Sequence, residues 1–208
     1  MKIVRVSILL VILVAAITFL MNSGFKPGFL SKFNPVVGQV YPDLEYIDQN
    51  GNPLRISDFK GQVVIVELVG MPCKACHAWS GAHYKGKFHG IAPQPGLDSF
   101  KNYFTNYTRL RWGNPGITFV QILFYDLDMG HPTPEDAKNW ADHFGFKAAY
   151  REYVVVPKDD LRNNRLYQQI PGFQLLDKNL ILRSDATDPN GARLYSELLP
   201  SIPALLRE

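Results

Sequence analysis

The sequence predicts an α/β domain: a central mixed β-sheet flanked by helices, with an N-terminal β-hairpin and an inserted helical region. Two nearly continuous apolar, β-branched runs, Gln62–Val69 and Ile117–Tyr125, have the pattern of strands buried on both faces of a sheet. Helical patterns follow each of them, and the chain closes with a hairpin and a helix, an order that suits a mixed sheet. At 208 residues, 46% hydrophobic and 20% charged, the chain has the composition of one ordinary globular domain. Its formal charge of +3 includes Lys2 and Arg5 at the extreme N-terminus. The remainder is near balance, so no nucleic-acid partner is expected.

The elements follow in order. Residues 1–21 place Lys2 and Arg5 ahead of the uncharged run Val6–Met21, slightly short of the roughly 20 residues that span a bilayer. This is a signal anchor or a signal peptide. Met21-Asn22-Ser23 lacks the small residues that cleavage wants, and a cut after Val14-Ala15-Ala16 would strand an apolar tail. A retained transmembrane anchor is therefore the expectation. Its positive end stays cytoplasmic and the domain lies on the extracytoplasmic, periplasmic side; cleavage would release the same domain there. Residues 22–36 read as a linker, and the domain as 37–208. Between Gln39 and Phe59, Asp48-Gln49-Asn50-Gly51-Asn52 carries the Asn-Gly turn signal of a hairpin.

After the Gln62–Val69 strand, Gly70-Met71-Pro72 makes a turn, and a helix opens at Cys73 and runs through Trp79. Gly81–Gly116 is less regular, but Phe100, Tyr103, Phe104 and Tyr107 repeat at helical spacing after an Asp98 cap. Those rings pack on the domain or present a partner surface. Thr133-Pro134-Glu135-Asp136 supplies an N-cap, a proline at the first helical position and acid in the first turn, and Gly145 closes that helix. Glu152–Val156 reads as a strand and Asp159–Gln168 as a helical or turn segment. A hairpin follows from Phe173 to Leu182, then a closing helix from Asn190 to Leu199, stopped by Pro200.

Cys73 and Cys76 are the only cysteines, two residues apart, so they are no disulfide framework and call for a chemical role. A cysteine reacts as its thiolate, and the unpaired N–H groups and dipole of a helix N-terminus acidify a thiol placed there. Cys73 is the expected nucleophile and Cys76, on the first turn, the resolving thiol, with Lys74 adding positive potential.

These residues resemble the thioredoxin-like superfamily, and within it the membrane-anchored thiol–disulfide oxidoreductases of the TlpA/ResA type. The resemblance is carried by Val37-Gly38-Gln39, Asp48–Leu54 and Ile56–Val66, by the active-site turn Gly70-Met71-Pro72-Cys73-Lys74-Ala75-Cys76, and by Ile170-Pro171-Gly172 with the hairpin after it. It implies that the Ile170–Pro171 bond is cis and faces the cysteines, and that Pro72, Ile170, Pro171 and Gly172 border a groove for an extended peptide. It also implies that Glu67, at the position of a buried acid in thioredoxins, exchanges a proton with Cys76. Pro72 stands where the family usually has Trp, and Ile170 where it usually has Thr or Val. The expected partners are exported proteins with thiols or disulfides and a membrane or extracytoplasmic redox partner, with reduction the favoured direction; no cofactor or metal is expected.

Two other chemistries share the motif. Cys73-Lys74-Ala75-Cys76-His77 spells a c-type haem attachment signal. A thioredoxin-like copper-binding chaperone would use the two thiolates with His131, although such proteins generally have three residues between the cysteines. His83, His89 and His143 read as surface or packing residues. A peroxidatic cysteine would want a Thr where this chain has Gly70.

Overall fold

The computed structural model describes residues 33–162, 170–187 and 192–208. The expected anchor, most of the expected linker, most of the segment expected at Asp159–Gln168 and the expected start of the closing helix lie outside the described residues. No helix among the described residues is long and apolar enough to cross a membrane. Phe33, four residues ahead of the expected domain start, is fully buried, edge-on to Tyr41 and Phe124 at 5.8 Å from each.

The strands are β1 (Tyr46–Asp48), β2 (Pro53–Leu54), β3 (Val63–Gly70), β4 (Ile117–Tyr125), β5 (Glu152–Pro157), β6 (Gly172–Leu176) and β7 (Leu182–Ala186). They form one sheet in the order β2-β1-β5-β4-β3-β6-β7. The three central strands β5, β4 and β3 run parallel, while β1 and β6 join antiparallel on either side. Every residue of β3 is buried, as its unbroken apolar run requires.

Side-chain alternation sorts the core onto two faces. Val63, Ile65 and Val69 of β3 with Phe119 and Leu123 of β4 face the helices α1 (Lys74–Ser80), α3 (Phe100–Thr108), α4 (Pro134–Phe144) and α5 (Leu199–Leu205). Val64, Val66 and Leu68 face Phe33, Tyr41, the β1–β2 hairpin and the 3-10 turn Ile56–Phe59. The Asn50-Gly51 hairpin forms as expected: Asp48 Oδ1 accepts from the backbone N–H groups of Asn50 and Asn52 at 2.8 Å, and Gly51 takes φ +82°.

Helix α1 is followed directly by the single turn α2 (Ala82–Lys85) through Gly81, whose φ of +99° suits only glycine well. The inserted region packs on the sheet through α3: Phe100 stacks against Phe119 and Phe173, with ring centres 5.1 and 4.7 Å away. On the other flank of α3, Tyr103 and Tyr107 meet Tyr195. The cap of this helix is Ser99, not Asp98: the Ser99 hydroxyl accepts from Asn102 N, while the Asp98 carboxylate accepts from Ser99 N and the Asn102 side chain. In α4 the expected cap holds, with Thr133 and Asp136 in a reciprocal capping box and Gly145 closing the helix.

The end of the chain departs from expectation. Pro200 does not stop the closing helix; it sits in the first turn of α5, which continues to Leu205. A π-helical turn, Leu194–Leu198, precedes it. Proline lacks an N–H, and its ring crowds the carbonyl four residues back. The wider π register just ahead and the N-terminal placement within α5 accommodate both effects.

Candidate active site

Strand β3 ends at Gly70 and delivers Met71 and Pro72 to Cys73, the N-cap of α1. Cys73 has an extended backbone (φ −76°, ψ 113°), and its sulfur accepts from Cys76 N–H at 3.4 Å. Both cysteines are free thiols; Cys73 is partly exposed and Cys76 fully buried. The two sulfurs therefore differ in chemistry. The Cys76 thiol, followed by the backbone N–H groups of Cys76 and Ala75, outweighs desolvation and brings the Cys73 pKa down to about 7. Burial pushes the Cys76 thiol well up, reinforced by the neighbouring Cys73 and Glu67. Lys74 is exposed and is not among the groups that acidify Cys73; the expected cationic contribution is supplied instead by N–H and S–H donors.

Glu67 follows from strand parity. On β3 it shares the helix-facing side with Ile65 and Val69, and the parallel register sets it beside Gln121 of β4. Gln121 Nε2 donates to Glu67 Oε2 at 2.7 Å and to Ser80 Oγ at 2.9 Å, while Trp140 Nε1 donates to Gln121 Oε1 at 2.9 Å. The indole can only donate, so it settles the amide orientation and turns the Gln121 NH2 toward Glu67. Glu67 Oε1 is buried without a hydrogen-bond partner. Desolvation, partly offset by Gln121 and reinforced by Cys73, raises the Glu67 pKa to about 8. At neutral pH this carboxyl holds a proton inside the core, electrostatically coupled to both cysteines. Gln121, Ser80 and Trp140 were not anticipated from the sequence; the available signal was a polar residue within an otherwise apolar strand.

The Ile170–Pro171 bond is cis. Antiparallel β6 pairs Gly172 with Leu68 and Phe173 with Glu67, so Pro171 comes immediately beyond the last pair, at the end of the sheet where β3 runs into the cysteine turn. Pro171 and Ile170 are half-buried, and Ile170 packs against the cores of both faces. Gly172 is buried, and a Cβ there would come within 2.6 Å of Thr187 Cγ2 and 3.0 Å of Thr187 Cα. Its lack of a side chain serves this close packing of β6 on the end of β7. Pro72 is half-buried. At the same end of the sheet, a Cβ on Gly70 would meet the Tyr125 ring at 2.2 Å, so Tyr125 lies over the backbone leading to Cys73, another neighbour not anticipated.

The residues do not fit c-type haem attachment. His77 is buried, its ring edge-on to Trp140 and Phe144, and its Nε2 lies 2.6 Å from the Met71 carbonyl. A carbonyl can only accept, so Nε2 carries the hydrogen, and desolvation lowers the ring's pKa. The ring is tied inward and Cys76 has no exposed surface. Copper binding through two thiolates is likewise poorly served, since burial holds Cys76 in its protonated form. His131 lies beside Asp160, 3.9 Å away.

A parallel β-sheet core with an antiparallel β6 entered through a cis-proline, and a Cys-x-x-Cys capping the helix after a central strand, define the thioredoxin-like fold. Solved structures agree. A secreted thiol-disulfide isomerase from Corynebacterium glutamicum matches with a TM-score of 0.53 at 19% identity, over 82% of this chain and 86% of the other. A thioredoxin-like protein from Porphyromonas gingivalis matches with a TM-score of 0.52 at 14% identity, over 84% and 95%. A thiol:disulfide interchange protein from a Bacteroides species matches with a TM-score of 0.50 at 18% identity, over 81% and 91%. The sequence matches no protein-family model and no curated protein. At these identities the likeness establishes the fold.

Proposed function

We infer that the chain is an extracytoplasmic thiol–disulfide oxidoreductase that reduces disulfides of exported proteins through Cys73 and Cys76. The observation that carries the reading is the asymmetry of the pair: an acidified, partly exposed sulfur above a buried, protonated one. The Cys73 thiolate attacks a substrate disulfide, forms a mixed disulfide and expels one substrate thiolate, which takes up a proton from solvent. Glu67 gives up its own proton to solvent, takes the proton of Cys76 as a carboxylate, and the Cys76 thiolate attacks Cys73 Sγ. This closes the Cys73–Cys76 disulfide and releases the second substrate sulfur. Two electrons pass to the substrate, and an extracytoplasmic dithiol partner returns them to the pair.

The order of the steps follows from electrostatics. The charge on Cys73 is one of the causes that raise the Glu67 pKa. Formation of the mixed disulfide removes that charge and so lowers the Glu67 pKa, which favours release of the Glu67 proton to solvent and makes a carboxylate available when Cys76 has to ionise. Pro171, Ile170 and Pro72 border the groove beside Cys73, and Pro171 leaves the adjoining backbone free to pair with an extended peptide. Extracytoplasmic action is supported by Lys2 and Arg5 ahead of the apolar run Val6–Met21, read as a membrane anchor, and by one solved neighbour that is described as secreted.

The test is a trapping experiment with Cys76→Ser, which removes the resolving sulfur while leaving the nucleophile. Mixed disulfides with exported proteins are expected to accumulate, to disappear on reduction, and to be absent from Cys73→Ser. Recovery of no linked protein refutes the exchange role.

A further inference from the structure

At the opposite end of the sheet from Cys73, the residues that lead into β4 and β5 enclose a cleft of about 950 Å3, within the usual range for small-molecule sites. Cys73 follows the C-terminal end of β3, whereas the cleft borders the N-terminal ends of the parallel strands β4 and β5. The length of an eight-residue strand, roughly 25 Å, separates them.

Five residues around the cleft are cationic, Lys85, Lys101, Arg111, Lys147 and Arg151, and one is acidic, Glu152. Glu152 is 3% exposed and already fully engaged. Its Oε1 accepts from Lys101 Nζ at 2.7 Å and from the Trp112 indole, and its Oε2 accepts from Lys147 N at 3.2 Å. Lys101 is thereby neutralised. Lys85, Arg111, Lys147 and Arg151 are all exposed, and none forms an ion pair among the described residues. Lys85 reaches across the cleft wall, its Nζ 3.4 Å from where a Cβ on Gly145 would stand. Tyr150, 63% exposed, and Trp112 add aromatic surface.

Four cations without an ion-pair partner among the described residues, lining one concavity, are a strong local concentration for a chain whose whole formal charge is +3. Like charges gathered this way repel one another, and a multiply charged anion relieves that repulsion. Two of the four are arginines, whose planar guanidinium groups match phosphate and carboxylate oxygens in pairs. We propose that this cleft binds a polyanion of the phosphate or polycarboxylate class, free or as an anionic lipid headgroup. The site is separate from the dithiol and leaves thiol exchange at Cys73 intact.

The test titrates the full chain with inorganic pyrophosphate and with citrate, following tryptophan fluorescence and heat of binding. Vesicles of phosphatidylglycerol are compared in parallel with vesicles of phosphatidylcholine. The same measurements are made on a Lys147→Gln, Arg151→Gln double variant, with thiol exchange at Cys73 as the control for folding. Saturable binding is expected, weakened by added salt and by at least about tenfold in the double variant, through loss of charge-assisted hydrogen bonds. A variant-sensitive response to pyrophosphate or citrate assigns a free anion. A variant-sensitive response to phosphatidylglycerol vesicles alone assigns a headgroup. Absence of any saturable response at millimolar anion and on both vesicles overturns the proposal, as does binding that the double variant leaves unchanged.

Discussion

Replacing Glu67 by Gln isolates the energetic consequence of a buried carboxyl beneath the cysteine pair. In the unfolded chain this group titrates at its ordinary value of 4.5, and in the folded protein at about 8. Between those values the native state holds a proton that the unfolded state has released, so stability falls as pH rises through that window. Each unit of difference corresponds to about 1.36 kcal/mol. From pH 5 to pH 7.5 the wild-type protein therefore loses about 3 kcal/mol through this one group. Below pH 4.5 the loss is absent, and above about pH 8 it grows no further.

Glu67→Gln keeps the shape and can still accept the hydrogen bond from Gln121 Nε2, but carries no proton to lose. Urea unfolding of both proteins in the reduced state, at several pH values between 5 and 7.5, gives the comparison. The wild-type curve is expected to drop relative to the variant by about 3 kcal/mol over that range. The contribution of Cys73 has the opposite sign: its lowered pKa favours the folded state as pH rises through about 7. It is present in both proteins and largely cancels in the difference. Parallel stability curves would refute the assignment of a raised pKa to Glu67. An unchanged pH profile for disulfide exchange in the variant would separately refute its role as proton acceptor for Cys76.

Two further outcomes are expected. Alkylation of the reduced protein by iodoacetamide should modify Cys73 first, with a rate midpoint near pH 7, while buried Cys76 stays unmodified until the fold opens; equal rates at both thiols would contradict the asymmetry. Gln121→Leu removes the donor to Glu67 Oε2 and strands the Trp140 indole and the Ser80 hydroxyl. It should therefore cost about 2–4 kcal/mol in urea unfolding and move the Glu67 titration further upward, and a neutral effect would show that the amide does not hold the carboxyl.

Where one residue's chemistry and its chain neighbours were sufficient, the sequence was legible. The runs 62–69 and 117–125 became the two adjacent central strands β3 and β4 because an unbroken β-branched stretch has no polar face to leave in water. Thr133-Pro134 with Asp136 capped α4, and Cys73 capped α1, because a cap is a contact among residues at most a few positions apart. The cis Ile170–Pro171 bond came from resemblance to a known family, not from the residues alone.

What the tertiary structure decided are the relations between distant segments. A carboxyl on β3, an amide on β4, a hydroxyl on α1 and an indole on α4 meet in one buried network, because strand register and helix packing bring together residues up to 73 positions apart in the chain. The inward tie of His77, the closeness of Gly172 to Thr187 and the gathering of cations at the far end of the sheet are of the same kind. Pro200 shows the limit of a local rule: in isolation proline ends a helix, but here a π turn and the packing of Leu198, Leu199 and Ile202 in the core carry the helix past it. A chain's own pattern specifies which faces must be buried; only the folded arrangement specifies which partners they meet.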